Sequence, residues 1–300
     1  MDASSIMKQS KTSEIVPINV QSFGDKLKAY KRKPFSLFLL ILVCLSALIT
    51  VFVLGALIVY IVVKGVPNIN GKLFEWEYTT ENASMMPAII NTALMTLLSL
   101  VISVPIGVFS AIYMVEYAKR GNKLVGIVSL TTETLSGIPS IIYGLFGYLL
   151  FVIALHWGLS FLGGAITLAI MVLPTIMRTT EEALKAVPDS FREGSFGLGA
   201  GKLRTIFKII LPSGILSGVI LAIGRIAGET AALLYTAGTQ AKVPTSLFDS
   251  GCTLAVHMYK LMSEGLYTNQ AYATAVVLLL MVIIINALSG FVAKKFQKEY

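Results

Sequence analysis

The chain has 300 residues, of which 55% are hydrophobic and only 13% charged, with a mean hydropathy of +0.78. A soluble domain carries about 25% charged residues, so this composition excludes an ordinary soluble fold and places the chain among membrane proteins. The net charge of +8 does not indicate nucleic acid, because the basic residues fall in short clusters between apolar runs and not along one polar face.

In chain order, residues 1–33 form a polar, basic tail that ends in Lys26, Lys28, Lys31, Arg32 and Lys33. A basic cluster beside an apolar run anchors at anionic lipid. The tail has no apolar core of its own, so no cleavable signal peptide is expected. About 20 apolar residues cross a bilayer, and six such segments follow. The first is Phe35–Val63, within a unit of residues 34–85 that includes a polar loop. The second is Pro87–Val115. The third is a broken helix, Leu124–Ile138 then Ile141–Leu155, bent near Pro139. The fourth is Phe161–Met177, the fifth Ser213–Thr236 and the sixth Ala271–Val292. Residues 86–292 are read as one transmembrane domain and 293–300 as a short basic tail. The outside loop, residues 238–269, is expected to hold a short interfacial helix.

Orientation follows from the distribution of charge. With the N-terminus inside, only Lys64, Lys72, Lys242 and Lys260 of the 24 lysines and arginines fall outside, and Arg225 falls within a span. All the others lie in inside segments, as the positive-inside rule requires. Both termini are therefore expected in the cytoplasm, together with the long polar interruption at residues 181–212.

That interruption reads as two short helices around a glycine break. Ser190-Phe-Arg-Glu193 has the capping-box pattern of a helix start. Gly197, Gly199 and Gly201 break the chain. Leu203, Ile206, Phe207, Ile210 and Leu211 then recur at helical spacing opposite Lys202, Arg204 and Lys208. Such a hairpin suits docking into a partner's groove. The run Gly197-Leu-Gly-Ala-Gly201-Lys202 imitates a phosphate-binding loop but lacks the leading glycine and the hydroxyl residue after the lysine. The chain is not expected to bind or hydrolyse ATP itself.

Here the sequence resembles the ABC-importer permeases. Their cytoplasmic motif runs Glu-Ala-Ala, three residues, Gly, nine residues, Ile, any residue, Leu-Pro. Glu193, Gly194, Ser195, Gly199, Ile209, Leu211 and Pro212 stand at the matching positions, with Gly194 and Ser195 in place of the two alanines. The resemblance implies a coupling loop that receives a separate ATP-hydrolysing subunit.

Inside the membrane, Arg225 lies near the middle of the fifth span and Glu229 one turn on. Gly218, Ala222, Arg225, Glu229, Ala232 and Thr236 share one small, polar stripe at helical spacing, as a helix lining a pathway would. An intramembrane arginine costs about 2.5–3.5 kcal/mol on insertion scales and by default marks function. Two readings stand: a structural pairing of Arg225 with Glu229 or Glu133, or a guanidinium fork that meets an oxyanion. Glu133 is a second intramembrane charge, and Arg178 lies near the inner mouth. His156 and His257 are far apart in sequence and make no metal site. No nucleophile–base pair stands out, so an enzyme is not expected.

The runs RIAGETAALLYTAG, ETLSGIPSIIYGLFG and PTIMRTTEEALKAVPDSFREG are similar to the phosphate-specific ABC-importer permeases. Those come as two similar subunits, and this chain looks more like the A subunit. The resemblance implies an all-α integral membrane protein of the type I importer permease fold in a bacterial plasma membrane, with six helices. It also implies phosphate import by alternating access, with Arg225 and Glu229 as pathway residues. The implied partners are a second permease subunit, two copies of an ATP-binding subunit and an external phosphate-binding protein. Sulfate or molybdate cargo, and a self-sufficient secondary transporter or channel, are the competing readings.

Overall fold

The computed structural model describes residues 34–119, 121–210 and 215–298; the side chains of 215, 216 and 292–298 are not part of that description. The N-terminal tail, Leu211 and Pro212 lie outside the described residues. Every element among the described residues is helical. The chain divides into two units, residues 1–59 and 60–300. The first unit holds most of α1 (Pro34–Gly65), whose Phe38, Leu45, Phe52 and Leu57 are all exposed. In lipid such a helix needs nothing more, because its backbone bonds are internal and its side chains match the hydrocarbon.

The second unit begins with the end of α1 and contains α2 (Met86–Ile112), α3 (Lys123–Ser136), α4 (Ser140–Gly147), α5 (Phe161–Ala186), α6 (Asp189–Gly197), α7 (Lys202–Thr205), α8 (Ile215–Ala227), α9 (Ala231–Thr236), α10 (Leu254–Glu264) and α11 (Thr268–Lys298). Wider π-helical turns extend α2 through Tyr113–Tyr117, α4 through Tyr148–Ala154 and α7 through Ile206–Ile210. The core is α2 laid along α5, with α8 packed on both and on α11. Met95, Leu168, Met171, Ile176 and Ile226 are fully buried there. Without a hydrophobic force between helices in lipid, close approach and packing hold such a bundle. Gly144 and Gly147 supply that approach between α4 and α9. A Cβ on Gly144 would stand 2.8 Å from the Ala232 Cα, and one on Gly147 would stand 2.7 Å from the Thr236 methyl.

The helices depart from the expected spans in three places. Four are long and apolar enough to cross a membrane as single helices: Pro34–Asn68, Met86–Tyr117, Phe161–Ala186 and Thr268–Phe291. The third expected span breaks at Gly137–Pro139, as its proline requires, but the two halves meet at 105°, far sharper than a kinked rod. The Tyr143 hydroxyl holds the corner by donating to the Leu135 carbonyl at 2.7 Å. The fifth expected span is not one helix. It stops at Ala227 and restarts at Ala231. The fourth runs on past Met177 to Ala186, passing through Pro174, so the polar stretch that opens at Glu181 begins as the last turns of α5.

The expected short helix of the outside loop is α10, and it is packed into the fold instead of lying on an interface. Leu254, Val256, His257 and Leu261 are buried. The preceding loop is pinned to α2, where the Asn91 amide donates to the carbonyls of Lys242 at 2.9 Å and Cys252 at 3.0 Å. The Leu254 N–H donates to the Thr92 hydroxyl at 2.8 Å. Asp249 accepts from the Thr245 hydroxyl and from the amides of Thr245 and Ser246, which holds its carboxyl below the usual carboxylate range.

His257 has a consequence for stability. His257 is 1% exposed, neither ring nitrogen has a hydrogen-bond partner among the described residues, and the ring meets that of Tyr78 edge-on. Burial, with Lys260 nearby, pushes its imidazole down to about 4. The unfolded histidine, near 6.5, takes its proton first, so stability falls as pH drops from about 6.5 towards 4. His257→Phe is expected to flatten that slope, read as the melting temperature of the purified protein at pH 7 and pH 5. An unchanged slope would assign the acid sensitivity elsewhere.

Candidate functional site

The residues expected to line a pathway fall into two groups. Arg225 lies in the last turn of α8, half-buried. Among the described residues it makes no hydrogen bond or ion pair, with Glu229, Glu133 or any other group. The expected i,i+4 pairing fails because the helix ends between the two residues. The Glu229 N–H donates to the Ile226 carbonyl at 3.1 Å. Its carboxylate turns the other way, to accept from the Ala232 N–H at 3.2 Å. Glu229 therefore caps the start of α9, satisfying an amide that has no partner inside that helix. The small, polar stripe from Gly218 to Thr236 is correspondingly split. The Arg225 donors have no acceptor among the described residues.

Glu133 and Arg178 form the second group. Both are exposed and both line a cavity of about 410 Å³ between α3 and α5, with Ser129, Thr132, Thr175 and Thr179. Arg178 is paired with Glu182 at 3.0 Å. Neither Arg225 nor Glu229 lines this cavity. No side chain of α3 is buried. Its Thr131, Thr132 and Thr134 hydroxyls each donate to the carbonyl four residues back at 2.8 Å. An exposed helix face that carries a carboxylate and hydroxyls does not suit lipid; it suits water or another protein chain.

The cytoplasmic-type hairpin forms, with corrections. The expected capping box at Ser190–Glu193 is absent. Pro188 is the N-cap, no side chain caps the helix, and Asp189 heads the first turn. Proline fixes φ at a helix-compatible value, so the helix starts two residues earlier than the box required. The expected amphipathic second helix is one α-turn followed by a π-turn. Ile206 and Ile210 are buried, whereas Leu203, Phe207 and Ile209 are exposed. Glu193 and Gly194 are exposed, and Ser195 is buried with its hydroxyl 2.7 Å from that of Thr205. That bond joins α6 to α7 and explains why a small residue occupies position 195. Gly199 sits at φ +80° with open space around it, a left-handed conformation that glycine adopts without strain. Leu198 beside it is 91% exposed. Leu211 and Pro212 of the motif lie outside the described residues.

One contact at this hairpin has no counterpart in the sequence reading. Arg192, its side chain largely enclosed, pairs with Glu116 at the end of α2, at 2.9 Å. Arg192 counted only as one more inside charge, and the two residues are 76 positions apart. The available signal was a single carboxylate ending an apolar span.

The class of protein follows from its relatives. The fold is that of the membrane chains of bacterial ABC importers. It is similar to a chain of a bacterial ABC transporter involved in the import of the acidic polysaccharide alginate (TM-score 0.62, 16% identity, 90% of this chain and 98% of the other). It is also similar to a chain of the MetNI methionine transporter in inward-facing form (TM-score 0.54, 19% identity, 71% and 94%). The chain belongs to the family of binding-protein-dependent transport system inner membrane components, whose family model matches residues 103–299. It is 31% identical over 281 residues, covering 85% of this chain and 94% of the other, to the probable ABC transporter permease protein YqgI of Bacillus subtilis. It is 36% identical over 243 residues, covering 78% and 81%, to the phosphate transport system permease protein PstA of Yersinia pestis. It is thus a multi-pass membrane protein.

Proposed function

We propose that this chain is one of the two membrane subunits of an ATP-driven importer that carries inorganic phosphate across the bacterial plasma membrane by alternating access. The observation that carries the cargo is the likeness to a phosphate permease across 78% of the chain. The geometry is consistent with it: Arg225 offers a guanidinium with no partner among the described residues, beside the α8–α9 break, and its donor fork suits the oxygens of phosphate. Glu229, committed to α9, leaves that charge available and does not neutralise it. Glu133 and Arg178 line the inner vestibule. Six crossings are counted by taking α3 with α4 and α8 with α9 as single passes. Both termini and the hairpin face the cytoplasm, in keeping with the distribution of lysine and arginine.

The remaining machinery belongs to other chains. A second, homologous permease subunit would face the exposed polar surface of α3 across the pathway. Two copies of an ATP-binding subunit dock on the hairpins through Glu193–Gly199 and the exposed Leu203, Phe207 and Ile209, and they hydrolyse the ATP. No cofactor is bound by this chain. An external phosphate-binding protein delivers the cargo.

The test is uptake of labelled phosphate into proteoliposomes that hold the assembled subunits. Uptake is expected only with ATP, the binding protein and both permease subunits. Uphill transport by the purified chain alone, driven by a proton or sodium gradient, would overturn the reading. Preference for sulfate or molybdate in the same assay would overturn the cargo and keep the architecture.

A further inference from the structure

We propose that Glu116 and Arg192 form a fixed strut that delivers the movement of the cytoplasmic hairpin to α2. They would be positioning residues for transport, without contact to cargo or nucleotide. The proposal rests on the reading of the chain as a subunit driven by a separate ATPase.

The chemistry is that of a largely buried ion pair whose guanidinium donors are all used. The side chain of Glu116 is 8% exposed and that of Arg192 15%. A carboxylate so enclosed is costly unless it is paired and hydrogen-bonded. Arginine has five N–H donors in a rigid fork, and the structure gives all five an acceptor. Nε and one Nη2 proton go to the same Glu116 carboxylate oxygen, at 3.1 and 2.9 Å. The other Nη2 proton goes to the Leu184 carbonyl at 2.8 Å. Nη1 donates to the Val187 carbonyl at 2.7 Å and to Asp189 at 3.1 Å. The Leu184 and Val187 carbonyls lie at the C-terminal end of α5, where orphan carbonyls need donors. One side chain therefore binds α2, the end of α5 and the start of α6.

Further contacts stiffen the same joint. Lys202 donates to the Glu116 carbonyl and sits 4.4 Å from the Tyr117 ring centre. The rings of Phe109 on α2 and Phe207 meet edge-on at 6.3 Å. The Ser195–Thr205 hydroxyl bond makes α6 and α7 one body. The exposed i,i+4 pairs of α5, Arg178–Glu182 and Lys185–Glu181, join neighbours on one helix and carry no such linkage. Through this joint a push on the hairpin reaches α2, and α2 packs along both α5 and α8, the helix of Arg225.

The experiment uses the complete transporter in proteoliposomes. Spin labels replace Tyr113 at the end of α2 and Phe191 on α6, with Cys44 changed to serine. Their separation is expected to stay constant through ATP binding in the otherwise native chain, and to change in Glu116→Gln, which keeps the shape and loses the charge. In that variant the phosphate moved per ATP is expected to fall by about fivefold, within the range of a coupling mutation, with subunit assembly unchanged. Arg192→Lys, which keeps the charge and loses the fork, is expected to behave alike. A label separation that changes with ATP in the native chain would overturn the strut. So would native phosphate per ATP in both variants, or loss of assembly in both, which would make the pair a structural brace only. The label distance needs no phosphate. A native complex that carries none would sink the proposed function while the distance still judged the strut.

Discussion

Arg225→Gln is expected to reduce phosphate uptake by about 100-fold or more, since hydrogen bonds to a charged group contribute about 1.5–3 kcal/mol each and the fork offers two. Assembly is expected to survive. In the described structure Arg225 has no partner inside the chain, so its replacement strands no buried carboxylate. Removing a charge from a span also relieves an insertion cost of about 2.5–3.5 kcal/mol. The check is labelled phosphate uptake beside co-purification of the other subunits. Native uptake would show that the charge has no place in the pathway. Loss of assembly with loss of uptake would return Arg225 to a structural role.

Gly199→Glu is expected to separate ATP hydrolysis from transport. The position is left-handed, at φ +80°, where an L-residue costs about 1–2 kcal/mol. The new carboxylate would also stand on the tip of the proposed docking surface, beside the exposed Leu198. Gly199→Ala carries the backbone cost without the charge, so it divides the two effects. Alanine is expected to leave the phosphate moved per ATP close to native. Glutamate is expected to abolish uptake while hydrolysis loses its dependence on the external binding protein. An unchanged ratio in Gly199→Glu would sink docking through this hairpin.

Much of the architecture is legible in the sequence, because membrane spans are long apolar runs and the bilayer admits few alternatives. The proline at 139 marked a break, but a proline does not state an angle, and the 105° corner depends on Tyr143 reaching back to Leu135. The break at Gly228–Thr230 was not legible. Gly-Glu-Thr is compatible with a helix, and the i,i+4 spacing of Arg225 and Glu229 favoured one. What ends α8 is a tertiary choice: α9 packs against Gly144 and Gly147, and Glu229 serves its free amide. The glycine break of the hairpin is legible from residue type at Gly199 and Gly201, whereas Gly197 closes α6 instead of lying in the break. The capping box was not, because Pro188 fixes the helix start by geometry while a Ser-x-x-Glu pattern only permits one. The Glu116–Arg192 pair lay beyond any local pattern. It is a property of two segments brought together by the α2–α5 packing.

The face of α3 has a consequence for what passes it. Thr131, Thr132 and Thr134 commit their protons to their own helix, so their outward oxygens offer lone pairs and no donors. Phosphate is itself an acceptor. Against such a surface an oxyanion finds nothing to grip, and Glu133 on the same helix repels it. A wall of this kind works as a low-friction lining: it is wet enough to admit an ion and too poor in donors to detain one. On that footing residence along the path would be governed by the arginines, Arg225 and, across the cavity from Glu133, Arg178, while the α3 face would set only how quickly the ion leaves.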